Sequence, residues 1–254
     1  MRPIFMYSWY LLLIIFSFII FFQLNKNKRI TDELVLAHNE LSEKNKVLET
    51  NVFQVKTLVK EVHHRVKNNL QIISSLLNLQ GNTEEDSKVV NALQKSNNRI
   101  QSIALVHQKL YGTETLVQVD VYEYVAELIG NLSISLADDS KDLKIEIQIS
   151  KELHFTMDTI IPLGLILNEL ITNSFKYAFT NLDSGTILIE IAHIQGNRYK
   201  LTFSDSGKGF DETIDIIKPK SLGLELIIML SEQLKGSIMI DKKTATFEIE
   251  FQIL

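Results

Sequence analysis

At 254 residues, with 26 basic against 31 acidic side chains, the chain has room for one ordinary globular domain plus some extra helical material. The net charge of -5 is spread without a basic stripe, so nucleic acid is not an expected partner. The absence of cysteine excludes disulfides and thiolate metal sites, and the six histidines form no HExxH-like ligand pair.

The first element is an apolar run from Ile4 to Phe22 without a charge. At ~1.5 Å rise per residue a helix of that length just crosses a ~30 Å hydrocarbon core, so residues 4–24 are expected as a transmembrane helix. No Ala or Gly precedes Ala37, which argues for an uncleaved anchor over a signal peptide. A core helix is seldom apolar all round for so long. Arg2 precedes the run while Lys26, Lys28 and Arg29 follow it, an asymmetry that places everything downstream in the cytoplasm. Residues 28–58 then read as a coiled-coil linker, with Leu34, Leu41, Leu48, Val55 and Val62 in one register and Ile30, Ala37 and Leu58 in the other. Lys44 and Asn51 weaken the second register, and a single solvated helix is the alternative.

From Lys60 the chain reads KEVHHRVKNNLQIISSLLNLQ. On a helix Val62, Val66, Leu70, Ile73 and Leu77 form a narrow apolar stripe, with His64 nearly opposite and His63 on the flank. Lys60 and Glu61 lie one turn before His64, and Lys67 and Asn68 one turn after. The stretch HHRVKNNLQ closely resembles the phosphoacceptor box of the HHRVKNN subfamily of sensor histidine kinases, related to the HWE kinases. The downstream helix Val89 to Tyr111, after a break at Gly81-Asn82, resembles the second helix of the same dimerisation domain. The resemblance implies a dimerisation and phosphotransfer domain over 59–115, a four-helix bundle in a homodimer, and His64 as phosphoacceptor. Many histidine kinases carry an acidic residue directly after the phosphoacceptor, where this chain has Arg65. Glu61 is therefore the candidate orienting base, with a plain solvated glutamate as the alternative. Asn68 matches the position that assists dephosphorylation of the partner, and His107, for which packing or capping is an even alternative, is assigned no chemistry.

Residues 120–254 have a different character. A helix over VYEYVAELIGNLSISL precedes strands at Leu143 to Ile149, Thr186 to Ile194 and Tyr199 to Ser204, with a hairpin turn at Gln195-Gly-Asn197. Ile160 to Phe179 is helical by length and period, and the chain ends in strands GSIMI and TATFEIEFQI. This composite predicts an α/β sandwich. Glu169, Asn173, Lys176 and Tyr177 share one face of the long helix, and polar groups on so apolar a helix are costly to bury unless something binds them.

The run NELITNSFKYAF resembles the asparagine box of the GHKL ATPases, the superfamily of histidine kinases, gyrase and Hsp90. By that match Asn173 coordinates Mg²⁺, Glu169 holds a metal-bound water, Lys176 reaches phosphate and Tyr177 lines the site. DSGKGF, after a strand, resembles the first glycine box: Asp205 accepts from the adenine amino group, and Gly207 and Gly209 let the backbone close round the ligand. SLGLEL resembles the second, with Gly223 and Leu224 offering backbone N–H groups to phosphate at a helix N-terminus. Phe210 to Lys220 is expected as a short lid over ATP. The glycine often seen before the last strand is replaced by Ala245 or Thr246, with little expected consequence.

Together these readings predict an α plus α/β protein: transmembrane helix, coiled coil, phosphoacceptor hairpin and C-terminal GHKL ATPase domain. The resemblance implies a sensor histidine kinase, single-pass in the bacterial inner (cytoplasmic) membrane with its catalytic part cytoplasmic, in contact with membrane lipid. It would use ATP and Mg²⁺ to phosphorylate His64 and pass the phosphoryl group to a separate response regulator with a receiver domain. A kinase-dead nucleotide-binding membrane adaptor and an anti-sigma-type serine kinase are the competing readings.

Overall fold

The structure, a computed structural model, describes residues 3–109, 118–136, 142–180, 182–209 and 221–253, with side chains at Trp9 and from Leu12 onward. It divides into two compact units, Met1–Leu58 and Val59–Leu254. The predicted lid, Phe210 to Lys220, and the end of the second hairpin helix, Leu110 and Tyr111, lie outside the described residues.

The first element is a helix, α1, over Pro3–Thr83. No glycine or proline occurs between Ile4 and Gln80 to interrupt it. Within the first unit Leu34, Leu41, Leu48 and Val55 are all exposed. The expected transmembrane helix over 4–24, the single-pass inner-membrane placement and the lipid contact are corrected here. Among the described residues no helix is long and apolar enough to cross a membrane. The apolar stretch is one end of a single helix that turns polar from Lys26 and runs on without a break to Thr83.

In the second unit α1 continues through Gly81 and stops at Thr83, slightly beyond the expected break. Acidic side chains make the turn: the Glu85 and Asp86 amides donate to Glu84 Oε1, and the Lys88 amide donates to Asp86 Oδ1 at 2.8 Å. Asp86 thereby caps α2, Ser87–Lys109. Asp120 caps α3, Val121–Leu136, in the same way, its Oδ1 accepting from the Glu123 amide.

The sandwich has a five-stranded mixed sheet in the order β2-β4-β5-β7-β6, formed by Asp142–Ile149, Ser184–Gln195, Arg198–Asp205, Thr246–Gln252 and Ser237–Asp241. The β2–β4 pair is parallel and the other pairs are antiparallel. Alternate residues Ile187, Ile189 and Ile191, Leu201 and Phe203, and Phe247, Ile249 and Phe251 are buried, the period-two pattern of a sheet with one covered face. They share one core with α3, α4 (Met157–Asn173) and α5 (Leu222–Gln233). Leu105 and Val106 of α2 belong to that same core, which fastens the hairpin to the sandwich. Gly164 allows the close approach of α3 to α4, since a Cβ there would lie 1.8 Å from the hydroxyl oxygen of the fully buried Tyr124. Two short strands that sequence periodicity does not reveal, β1 (Gln118–Asp120) and β3 (His154–Thr156), pair antiparallel beside the main sheet.

Candidate active site

Helix α4 does not end as an ordinary α-helix. Its last turn widens into a π-helical turn over Ser174–Ala178. Ser174 Oγ donates to Asp205 Oδ2 at 2.6 Å, and the Gly207 amide donates to Asp205 Oδ1 at 3.0 Å. Both carboxylate oxygens are thus held in place, and the Lys208 amide pins the loop by donating to Ala178 O at 3.2 Å. A Cβ on Gly207 would fall 2.6 Å from that same carbonyl oxygen, whose backbone cannot yield cheaply. Gly207→Ala is therefore expected to destabilise the fold by about 1–3 kcal/mol, read as a lowered melting temperature; an unchanged melt would contradict the close packing.

Gly209 has a φ of 73°, and a Cβ there would lie 2.9 Å from the Lys243 carbonyl oxygen, so both conformation and space call for glycine. Across the site, Ser221 caps α5 by accepting from the Leu224 amide at 3.5 Å. Gly223 presses on α4: a Cβ there would meet Glu169 Oε2 at 2.6 Å, with Asn173 Nδ2 at 3.9 Å. Ala245, where glycine was looked for, adopts a φ of 47°, which costs a non-glycine residue about 1–2 kcal/mol. The expectation of little consequence there missed this left-handed turn.

These elements enclose a cavity of about 390 Å³. Asn173, Tyr177, Asp205, Gly209, Gly223 and Leu224 line it, whereas Glu169, Lys176 and Gly207 stand outside the lining. Leu170, Ile227 and Phe247 supply an apolar part of the lining. Tyr177 is 56% exposed, presenting its ring at the mouth.

Sequence reasoning missed the contribution of α2. Arg99 Nε lies 2.7 Å from Glu169 Oε1, with the glutamate side chain only 3% exposed. Asn168 Nδ2 donates to Asn98 O at 3.0 Å and to Ser102 Oγ at 2.8 Å. Lys176 Nζ donates to Asn91 Oδ1 at 3.2 Å, and Lys95 Nζ sits 5.9 Å from the centroid of the Tyr177 ring. Burial, together with the nearby Lys95 charge, holds the Lys176 ammonium below the usual lysine range, against a smaller opposing pull from Glu169. The available signal was the helical spacing of Asn91, Lys95, Asn98 and Ser102, a polar stripe that reads equally well as a solvated face.

On the hairpin, His64 is half-buried, and Glu61 and Asn68 are exposed. Glu61 Oε1 is paired with Arg65 Nε at 2.8 Å. None of the three lines the cavity. His63 turns inward: its Nδ1 lies 3.0 Å from His107 Nδ1, with ring centroids 5.2 Å apart. Burial first, and the His63 charge second, hold His107 below the ordinary histidine value. In the window from that depressed value up to ~6.5 the unfolded chain takes up a proton that the folded His107 refuses. Stability is therefore expected to fall as pH drops below ~6.5 and to be independent of this pair above it. Melting curves between pH 7.5 and 5.5 check this, and His107→Gln should flatten the slope.

Comparison with known proteins gives the family. Residues 61–136 match the histidine kinase family, and residues 158–253 match the histidine kinase-, DNA gyrase B-, and HSP90-like ATPase family. The chain belongs to the HWE-like histidine kinases with a GHKL-type ATPase domain. It is 31% identical over 184 residues to the sensor histidine kinase PdtaS of Mycobacterium tuberculosis, covering 71% of this chain and 36% of that protein. It is 23% identical to the blue-light-activated histidine kinase 2 of Erythrobacter litoralis, covering 72% of this chain and 52% of that one. The chain thus spans between about a third and a half of the length of these relatives. The fold resembles the histidine kinase domain of the Erythrobacter litoralis blue-light-activated kinase, with a TM-score of 0.56 at 20% identity over 77% of this chain and 89% of that one.

Proposed function

We propose that the chain is an ATP-dependent protein-histidine kinase, with a hairpin domain (59–115) that is phosphorylated on His64 and an ATPase domain (120–254) that supplies the phosphoryl group. The observation that carries this reading is the convergence of Asn173, Asp205, Gly209 and Gly223, from three separate segments, on one cavity in the same compact unit as the histidine hairpin. The apolar part of the lining suits a purine ring, and the fixed Asp205 carboxylate is placed to accept from its amino group. The Asn173 amide oxygen and the Glu169 Oε2 that faces Gly223 are hard oxygen donors, a partial set suited to Mg²⁺. When bound, the ion would neutralise phosphate charge; the protein's part is to hold base and phosphates in line and to offer a histidine nitrogen lone pair.

Glu61, paired with Arg65, is the candidate base that orients the His64 ring, and Asn68 one turn on serves the partner's dephosphorylation in this reading. In this reading Lys176 and the Leu224 amide serve phosphate, while Gly207 lets the backbone close round the ligand beside Asp205. Phosphohistidine suits onward transfer to an aspartate, so the partner is a response regulator with a receiver domain. A homodimer is the expected assembly: Val62, Ile73 and Leu76 of the hairpin are exposed, as are the heptad leucines of the proposed coiled-coil segment 28–58, and a second copy would bury both sets.

Incubation of the full chain with γ-labelled ATP tests the proposal. Acid-labile, alkali-stable label is the expected outcome. No label on a chain that still binds nucleotide would leave an adaptor, and acid-stable label would point to a serine kinase.

A further inference from the structure

We propose that the nucleotide site is composite, and that Lys95 of helix α2 is a nucleotide-binding residue that contacts the polyphosphate. This rests on the ATP reading above and extends it to a residue outside the ATPase domain. Lys95 lines the same cavity as Asn173, Tyr177 and Gly223. It stands over Tyr177, which follows Lys176 and lies one turn after Asn173, two residues proposed to serve phosphate and its metal.

Its position is built rather than incidental. One turn before it, Asn91 accepts from Lys176; one turn after it, Arg99 pairs with Glu169, and Asn98 and Ser102 hold Asn168. Contacts on both sides therefore fix the stretch of α2 that carries Lys95, and Lys95 itself packs over the Tyr177 ring. The charge balance points to an anion. Arg99 already neutralises Glu169, while among the described residues no carboxylate lies within ion-pair distance of Lys95 or Lys176. Two ammonium groups close enough to disturb one another, one of them lining a cavity that also carries apolar side chains, match a ligand with a flat ring at one end and a chain of phosphates at the other. The hairpin then contributes to nucleotide affinity as well as receiving the phosphoryl group.

Equilibrium binding of ADP and of adenosine to the full chain tests this assignment. Lys95→Gln is expected to weaken ADP by about tenfold and to leave adenosine unchanged, because the lost contact is a charge-assisted hydrogen bond to phosphate. Lys95→Arg should restore most of the ADP affinity, and Lys88→Gln, on an exposed position of the same helix, should match the unmodified chain. Equal ADP affinity in Lys95→Gln and the unmodified chain overturns the assignment, as does an equal loss for adenosine and ADP, which would mark a structural role. Failure of the unmodified chain to bind ADP overturns both this assignment and the ATP reading beneath it.

Discussion

A His64→Gln variant is expected to lose all acid-labile label from γ-labelled ATP while keeping its melting temperature and its ADP affinity. Glutamine is a good helix former and retains a polar end, so α1 should persist, but its amide nitrogen has no available lone pair to attack phosphorus. His64 also lies outside the cavity lining, so nucleotide binding should not depend on it. The adjacent histidine gives the contrast. His63 is committed to His107 at 3.0 Å, so His63→Gln should keep the label and lose about 0.5–1.5 kcal/mol of stability instead. Label that survives in His64→Gln but vanishes in His63→Gln would move the phosphoacceptor by one residue and undo the proposed division of labour.

Arg99→Ala is expected to be the most destabilising single change at the seam between α2 and α4. It would strand a carboxylate whose side chain is 3% exposed, and removing one partner of a buried pair costs about 3–5 kcal/mol. Adding Glu169→Gln should recover part of the loss, because a neutral amide is cheaper to leave without a cation. By contrast, alanine at Arg65, whose pair with Glu61 is exposed, should change stability by less than about 1 kcal/mol. Thermal unfolding of the three variants measures all of this. An Arg99→Ala melt no lower than that of Arg65→Ala would show that the α2–α4 seam opens readily in solution.

Much of the sandwich could be read from residue order. The alternation in Thr186–Ile194 and Tyr199–Ser204 matches strands β4 and β5, and the long apolar run after Ile160 matches α4. Short-range chemistry made this possible, since period and turn residues are local. The glycine and asparagine clusters could be found for the same reason, although their meeting in one cavity depends on the fold. What escaped was long-range. Lys95 and Arg99 lie some seventy residues from the helix they touch, and nothing in their own neighbourhood distinguishes a polar face against α4 from one against water. Strands β1 and β3 are too short for any period to show. The apolar N-terminal run was read as a membrane span, and among the described residues no helix is long and apolar enough to be one.

The π-helical turn at Ser174–Ala178 has an implication for how this part of the chain can vary. Such a turn holds one residue more than the regular helix it interrupts, so deleting any single residue within it would leave a sequence that still forms a continuous α-helix. Everything after the deletion would then be rotated by about 100° relative to the preceding part. Ser174 could keep its bond to Asp205 while Tyr177 swung away from the mouth, or the reverse, but not both. Insertions and deletions, usually tolerated at helix ends, should therefore be selected against across these five residues more strongly than substitutions are.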